Sequence, residues 1–257
     1  MENIKNIAMR IRYDGTNYHG WQSQSNGVTV QSTIEKALSE LTGSDVKVTG
    51  CSRTDAGVHA NMFCCTLDTA CPLRGDKLAA ALNAHLPADV AVYGCREVPA
   101  DFHPRYMAAG KRYVYRIWNA PARNPFWQGY ALHRQRRLDE RRMDEAAAAY
   151  CGTHDFTAFK ASGGLAKTTV RTILSARVSA FPENLFYLEI CGDGFLYNMV
   201  RIIAGTLIRV GGGEMAPDEI PQILGKKDRT AAGPTAPAHG LTMMGIEYED
   251  AEGISET

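Results

Sequence analysis

No run of apolar residues in this sequence approaches the length needed to cross a bilayer, and positions 1 to 14 carry Glu2, Lys5, Arg10, Arg12 and Asp14 without an apolar core. A spanning helix and a secretory leader are therefore not expected, and the chain reads as cytoplasmic with no membrane partner. Net charge is lacking too. Lys plus Arg and Asp plus Glu number 28 each, so overall charge points to no polyanion and any basic surface must come from arrangement. The seven cysteines, at 51, 64, 65, 71, 95, 151 and 191, form no Cys-x-x-Cys pair and are odd in number. That argues for a reduced compartment rather than a disulfide framework. The seven histidines show no His-x-x-x-His spacing and the adjacent Cys64 and Cys65 cannot serve as a usual structural zinc pair, so no metal is expected. A Walker loop is missing as well: Gly211-Gly212-Gly213 runs into Glu214, and Gly225-Lys226 has no glycine at the required distance. Both glycine groups read as helix ends.

What is present is an ordinary globular composition. A chain of 257 residues with 45% hydrophobic content can bury one large core or two modest ones. Residues 7 to 13 alternate with Ile7, Met9, Ile11 and Tyr13 on one face, which predicts a strand. Tyr18, His19 and Trp21 then fall in a loop that either stacks bases or closes a core. Val30, Ile34, Ala37, Leu38 and Leu41 recur at helical spacing before Gly43. A strand over 46–50, another over 62–67, a helix over 76–85 and a strand over 90–98 follow. This order suggests a ferredoxin-like α/β sandwich.

Residues 111–117 form a strand with Tyr113, Tyr115 and Ile117 on one face and Arg112, Val114 and Arg116 on the other. An irregular connection over 119–137 holds Pro121, Pro125 and the uncompensated Arg134, Arg136 and Arg137. The domain boundary is placed there, giving halves at 1–118 and 119–257, loose within 110–138. A helix over 138–150, strands over 169–181 and 185–191, helices over 196–210 and 217–224 and a strand over 242–248 echo the first half without a residue-level repeat. The acidic tail from Glu249 is expected to fray.

Around Asp55 the sequence reads Gly50-Cys51-Ser52-Arg53-Thr54-Asp55-Ala56-Gly57-Val58-His59-Ala60. On extended backbone Arg53 and Asp55 share a face and Thr54 takes the other. By spacing alone this is either an ordinary turn aspartate with a local ion pair or a carboxylate held ionised for nucleophilic or electrostatic work. The helix over 196–210 poses a similar choice, because Arg201 sits among apolar residues and needs an anionic partner, structural or functional. Asp55 is one candidate.

SRTDAGVHA resembles the catalytic-aspartate segment of the tRNA pseudouridine synthase A family. YDGTNYHGWQ, LPADVAV, DFHPRY, GKRYVYRI, DFTAF, GFLYNMVRIIAGTLIRVG and TAPAHGL are similar to further blocks of that family in the same order. The resemblance implies a pseudouridine synthase fold: two ferredoxin-like, RNA-recognition-like halves with antiparallel sheets and a cleft between them. It also implies Asp55 as nucleophile, with Tyr113 and Arg201 as active-site residues converging on that cleft. The substrate it implies is transfer RNA, at uridines 38, 39 and 40 of the anticodon stem-loop. The expected assembly is a homodimer without cofactor, metal or protein partner. Arg53, Tyr113, Arg105, Lys111 and Arg112 are the expected RNA-binding residues.

The chemistry fits that implication. Pseudouridine formation breaks the N1–C1′ bond, turns the base and rejoins it through C5 without consuming water. It needs a nucleophile, a charge to keep that nucleophile ionised and a group to take the C5 proton. A glycosidase needs a second carboxylate, which the sequence does not offer. A non-catalytic RNA-binding protein and an aspartate-nucleophile hydrolase remain as rivals, and attack at C1′ or at C6 stays open.

Overall fold

The computed structural model describes residues 4–164 and 166–249. The expected fraying past residue 249 and the contribution of Glu2 lie outside them. Two compact units emerge, Met1–Ala109 with Met243–Thr257, and Gly110–Thr242. The first cut, between Ala109 and Gly110, falls at the edge of the loose 110–138 range given for the boundary, and residues 243–257 group with the first unit. The strand begun at Ala108 goes mostly with the second unit, and most of the last strand goes with the first.

The first unit runs β1 (Lys5–Tyr13), α1 (Val30–Thr42), β2 (Thr49–Gly50), β3 (His59–Thr69), α2 (Gly75–Asn83) and β4 (Val90–Val98). Its strands lie in the order β4-β1-β3, with β2 also on β3 and every pair antiparallel. That is the expected ferredoxin-like arrangement. Met9 is opposite Cys65 on one side and Cys95 on the other. Ile7, Met9 and Ile11 are buried, and so are Ile34 and Leu38 of α1 and Leu78 and Leu82 of α2.

The start of α1 is fixed by Thr29, whose hydroxyl accepts from Ser32 N while Ser32 Oγ accepts from Thr29 N, both at 3.1 Å. Gly43 ends it in the left-handed region at φ 71°.

One expected element shrinks. The alternation over 46–50 gives a ladder only at Thr49–Gly50, although Val46 and Val48 are buried. Side chains of α1 take the backbone groups of Val48 instead: Glu35 Oε1 accepts its N–H at 3.2 Å and Gln31 Nε2 donates to its carbonyl at 3.1 Å.

The second unit holds β5 (Ala108–Asn119), β6 (Leu132–Arg134), α3 (Glu140–Ala148), β7 (Gly152–Asp155), β8 (Val170–Phe181), β9 (Leu185–Gly192), α4 (Met199–Gly211) and α5 (Glu219–Lys226). The order is β5-β9-β8-β7, antiparallel throughout, with β6 joining β5 in parallel. In β5, α3, β8, β9 and α4 the unit repeats the sequence of β1, α1, β2, β3 and α2, and in both cases the third strand lies beside the first and second. The echo expected in outline is thus a repeat of topology. The closing strand of the chain, β10 (Leu241–Tyr248), lies beside β3. Among the described residues no helix is long and apolar enough to cross a membrane.

Candidate active-site elements

Asp55 lies in the loop between β2 and β3, and backbone contacts from the segment after β1 hold it. Trp21 N donates to Thr54 O at 3.1 Å, Gly57 N donates to Tyr18 O at 3.3 Å, and Val58 N closes a turn on Asp55 O at 3.1 Å. The Thr54 side chain is buried and bonds the Tyr13 hydroxyl at 2.8 Å. Gly20 makes the approach possible: it sits at φ +83°, and a Cβ there would stand 2.5 Å from Thr54 O. Below the loop Trp21 stacks on Phe63 with centroids 4.2 Å apart, and Tyr13 packs on Phe63 at 5.8 Å. Of the two readings of the aromatic loop, closure of a core is the one realised for Tyr18 and Trp21, which are 5% and 3% exposed.

Asp89 ties the loop to the start of β4. Its carboxylate accepts from Tyr18 Oη at 2.6 Å and from Asn17 Nδ2 at 3.3 Å, and its carbonyl accepts Asp14 N at 2.9 Å. Burial, reinforced by this carboxylate, pushes the Tyr18 phenol well above its ordinary value. Gly15 N donates to His59 Nδ1 at 3.0 Å. Three motif blocks, YDGTNYHGWQ, SRTDAGVHA and LPADVAV, therefore form one scaffold around a half-exposed aspartate. Alternation places Arg53 and Thr54 as expected, one exposed and the other buried. The local ion pair does not form: among the described residues Arg53 makes none.

Tyr113 and Arg201 belong to the second unit. Tyr113 lies on β5 opposite Ile190, 6% exposed, with Phe195 edge-on to its ring at 5.2 Å. Arg112 and Arg116 are half-exposed on the other face with Val114 buried between them, as the alternation predicts, whereas Lys111 is buried. Arg116 donates to Thr242 Oγ1 at 2.7 Å and lies over Tyr187. In the first unit Arg105 is exposed beside Tyr106.

α4 begins at Met199 rather than at residue 196, because Asn198 takes the left-handed conformation at φ 61°. Every residue of α4 is buried except Arg201 and Arg209. Arg201 is half-exposed and held from two directions: Nη1 donates to Asn198 Oδ1 at 2.6 Å and Nε to Ala236 O at 2.8 Å, while its own carbonyl accepts Ala236 N at 3.1 Å. The strap of residues 233–240 lies this close because a Cβ at Gly205 would stand 1.8 Å from Pro234 O. Tyr115 donates to Pro237 O in the same strap at 2.9 Å. Burial raises its phenol above the ordinary value against the opposing pull of the Arg201 charge.

Sequence reasoning missed Asn198, Ala236 and Asp89 as supports. Asn198 carried a readable signal, an asparagine directly before an apolar helical run; the other two act through tertiary contacts and carried none. Among the described residues no group of three or more His, Cys, Asp or Glu is placed to hold a metal.

These features define a mixed α+β protein with an antiparallel core and a carboxylate-bearing loop held rigidly by motif residues. The sequence profile of the tRNA pseudouridine synthase family matches residues 9–107 and 146–249, well over half of the chain. The chain belongs to that family, whose members convert uridine to pseudouridine. It is 49% identical over 245 residues to tRNA pseudouridine synthase A of Ruminiclostridium cellulolyticum, covering 95% of this chain and 100% of the relative. The Acetivibrio thermocellus protein of the same name is 47% identical with the same coverage. For tRNA pseudouridine synthase A 2 of Clostridium tetani the figures are 46%, 95% and 99%.

Proposed function

We propose that this enzyme isomerises uridines 38, 39 and 40 in the anticodon stem-loop of transfer RNA, with Asp55 as nucleophile. The observation that carries the reading is the half-exposed Asp55, fixed by backbone bonds on both sides inside a chain of this family. Arg201 supplies the charge that keeps the nucleophile ionised, and Tyr113 receives the C5 proton once the base has been rejoined. A uridine in a stem must leave the stack first, at a cost of a few kcal/mol. Work at three adjacent positions requires recognition of backbone and shape rather than base sequence. Arg53, Arg105, Lys111 and Arg112 contribute to that recognition. The enzyme acts as a cytoplasmic homodimer without cofactor or protein partner, and sedimentation of the purified protein at the dimer mass checks the assembly.

The test is to incubate wild type and Asp55→Ala with unmodified transfer RNA and map pseudouridine by carbodiimide-blocked reverse transcription. Stops at adjacent anticodon-stem uridines with wild type alone are expected. Stops elsewhere in the RNA would overturn the site assignment, and stops with both proteins would overturn the nucleophile. Release of free uracil would move the reading to a hydrolase.

A further inference from the structure

A group of arginines on β1 and β4 takes no part in the elements described so far. Ala8 is opposite Arg96, Arg10 opposite Gly94 and Arg12 opposite Ala91, so Arg10, Arg12 and Arg96 share one face of the sheet. Met9 and Ile11 point the other way and are 0% exposed. Pairing slips between Arg10 and Ile11, which leaves Tyr93 as the extra residue of a β-bulge. A bulge re-aims its side chain, and here the Tyr93 ring lies against both neighbours, 4.1 Å from Arg12 Cζ and 5.2 Å from Arg10 Cζ.

Arg12 and Arg96 are exposed and Arg10 half so, and among the described residues none of the three makes an ion pair. Glu97 points to the opposite face beside Ile7 and is engaged by Lys5 at 2.5 Å. Asp68, opposite Asn6, is the acid that this face carries on the β3 side. The face continues into the segment after β4, which crosses it where Asn6 Nδ2 donates to Pro99 O and Phe102 O, both at 3.1 Å. That segment carries the exposed Arg105 over Tyr106.

We propose that Arg10 and Arg12, positioned by Tyr93, bind phosphodiester groups of the RNA backbone, with Arg96 adding charge beside them. The inference rests on RNA being the substrate. A guanidinium stacked on a ring keeps its in-plane N–H groups turned outward, the geometry that a phosphate accepts in bidentate fashion. Because the ring already restricts the two side chains, less freedom is lost when phosphate binds. In a protein with zero net charge, a predominantly basic face of this kind supplies the attraction for a polyanion.

The experiment measures dissociation constants of unmodified transfer RNA by filter binding over a salt series, for wild type, Arg10→Gln/Arg12→Gln and Arg10→Lys/Arg12→Lys. The glutamine pair is expected to weaken binding about tenfold near physiological salt and to flatten the slope of log K against log salt by about 1.5, from two lost phosphate contacts. The lysine pair is expected to keep most of the slope. Wild-type affinity and slope in the glutamine pair would overturn the proposal, as would equal losses in both pairs, which would point to fold damage. Pseudouridine mapping with wild type on the same RNA separates this from the catalytic reading. Isomerisation with unchanged binding in the glutamine pair sinks only the arginine cluster; weakened binding by that pair without isomerisation by wild type sinks only the catalytic assignment.

Discussion

At the scale of single residues, the position of Asp55 is set by main-chain contacts more than by its own side chain. Gly20→Ala would put a methyl group 2.5 Å from Thr54 O at a backbone angle alanine rarely adopts, and the carbonyl it displaces directly precedes Asp55. A displacement near 1 Å at a reacting group costs about 10²-fold in rate. Single-turnover isomerisation by Gly20→Ala is expected to fall by about that factor while far-ultraviolet circular dichroism stays that of wild type. Tyr113→Phe removes a proposed proton acceptor and leaves the edge-on packing against Phe195 in place. A rate loss of about 10²–10⁴ is expected, with transfer RNA affinity kept within about fivefold by filter binding, since one hydroxyl contact contributes only about 1 kcal/mol. Of these residues, Asp55 and Tyr113 were legible from their motif blocks. Asp89 and Ala236 were not, because the atoms that matter there meet only after folding, and Ala236 acts through its main chain alone.

At the scale of elements, the sequence predicted long periodic segments well and short ones poorly. The strand over 90–98 comes out as β4 with the same ends, and the helix over 30–41 gains one residue. β6 and β7 went unread: three and four residues are too few for a period, and β7 is Gly-Thr-His-Asp with no buried residue. β7 is anchored instead by electrostatics. Asp155 accepts from Lys227 Nζ at 2.7 Å and from Thr157 N and Oγ1 at 3.0 and 2.7 Å. Lys227 first, then the threonine donors, hold its carboxyl well below the usual range. A depressed folded pKa stabilises above the unfolded value of about 3.9, and that contribution is lost as pH falls towards the folded one. Asp155→Asn is therefore expected to cost about 1 kcal/mol near pH 7, or about 2–4 °C in Tm. The gap should close below about pH 4 in thermal melts, and added salt should narrow it because Lys227 is solvent-exposed.

At the scale of the whole chain, the repeat of strand order in the two units could be anticipated from the element sequence, whereas the place of the last strand could not. Nothing in Leu-Thr-Met-Met-Gly-Ile-Glu-Tyr names its neighbour. Its burial is nevertheless extensive, with Leu241, Met243, Ile246 and Tyr248 inside and Tyr248 Oη donating to Pro104 O at 2.8 Å. A chain ending at residue 240 would leave β3 with an open edge along much of its length. Such a truncation is expected to be aggregation-prone and to lose a cooperative melt, and gel filtration with calorimetry checks this. On the ribosome the same arrangement sets an order of events. β3 is made early and its neighbour last, about 170–180 residues later, which at about 5–20 residues per second is roughly ten to thirty seconds. Throughout that interval the aspartate-bearing unit waits with an edge unfilled, so the loop that carries Asp55 is made long before the unit that holds it can close.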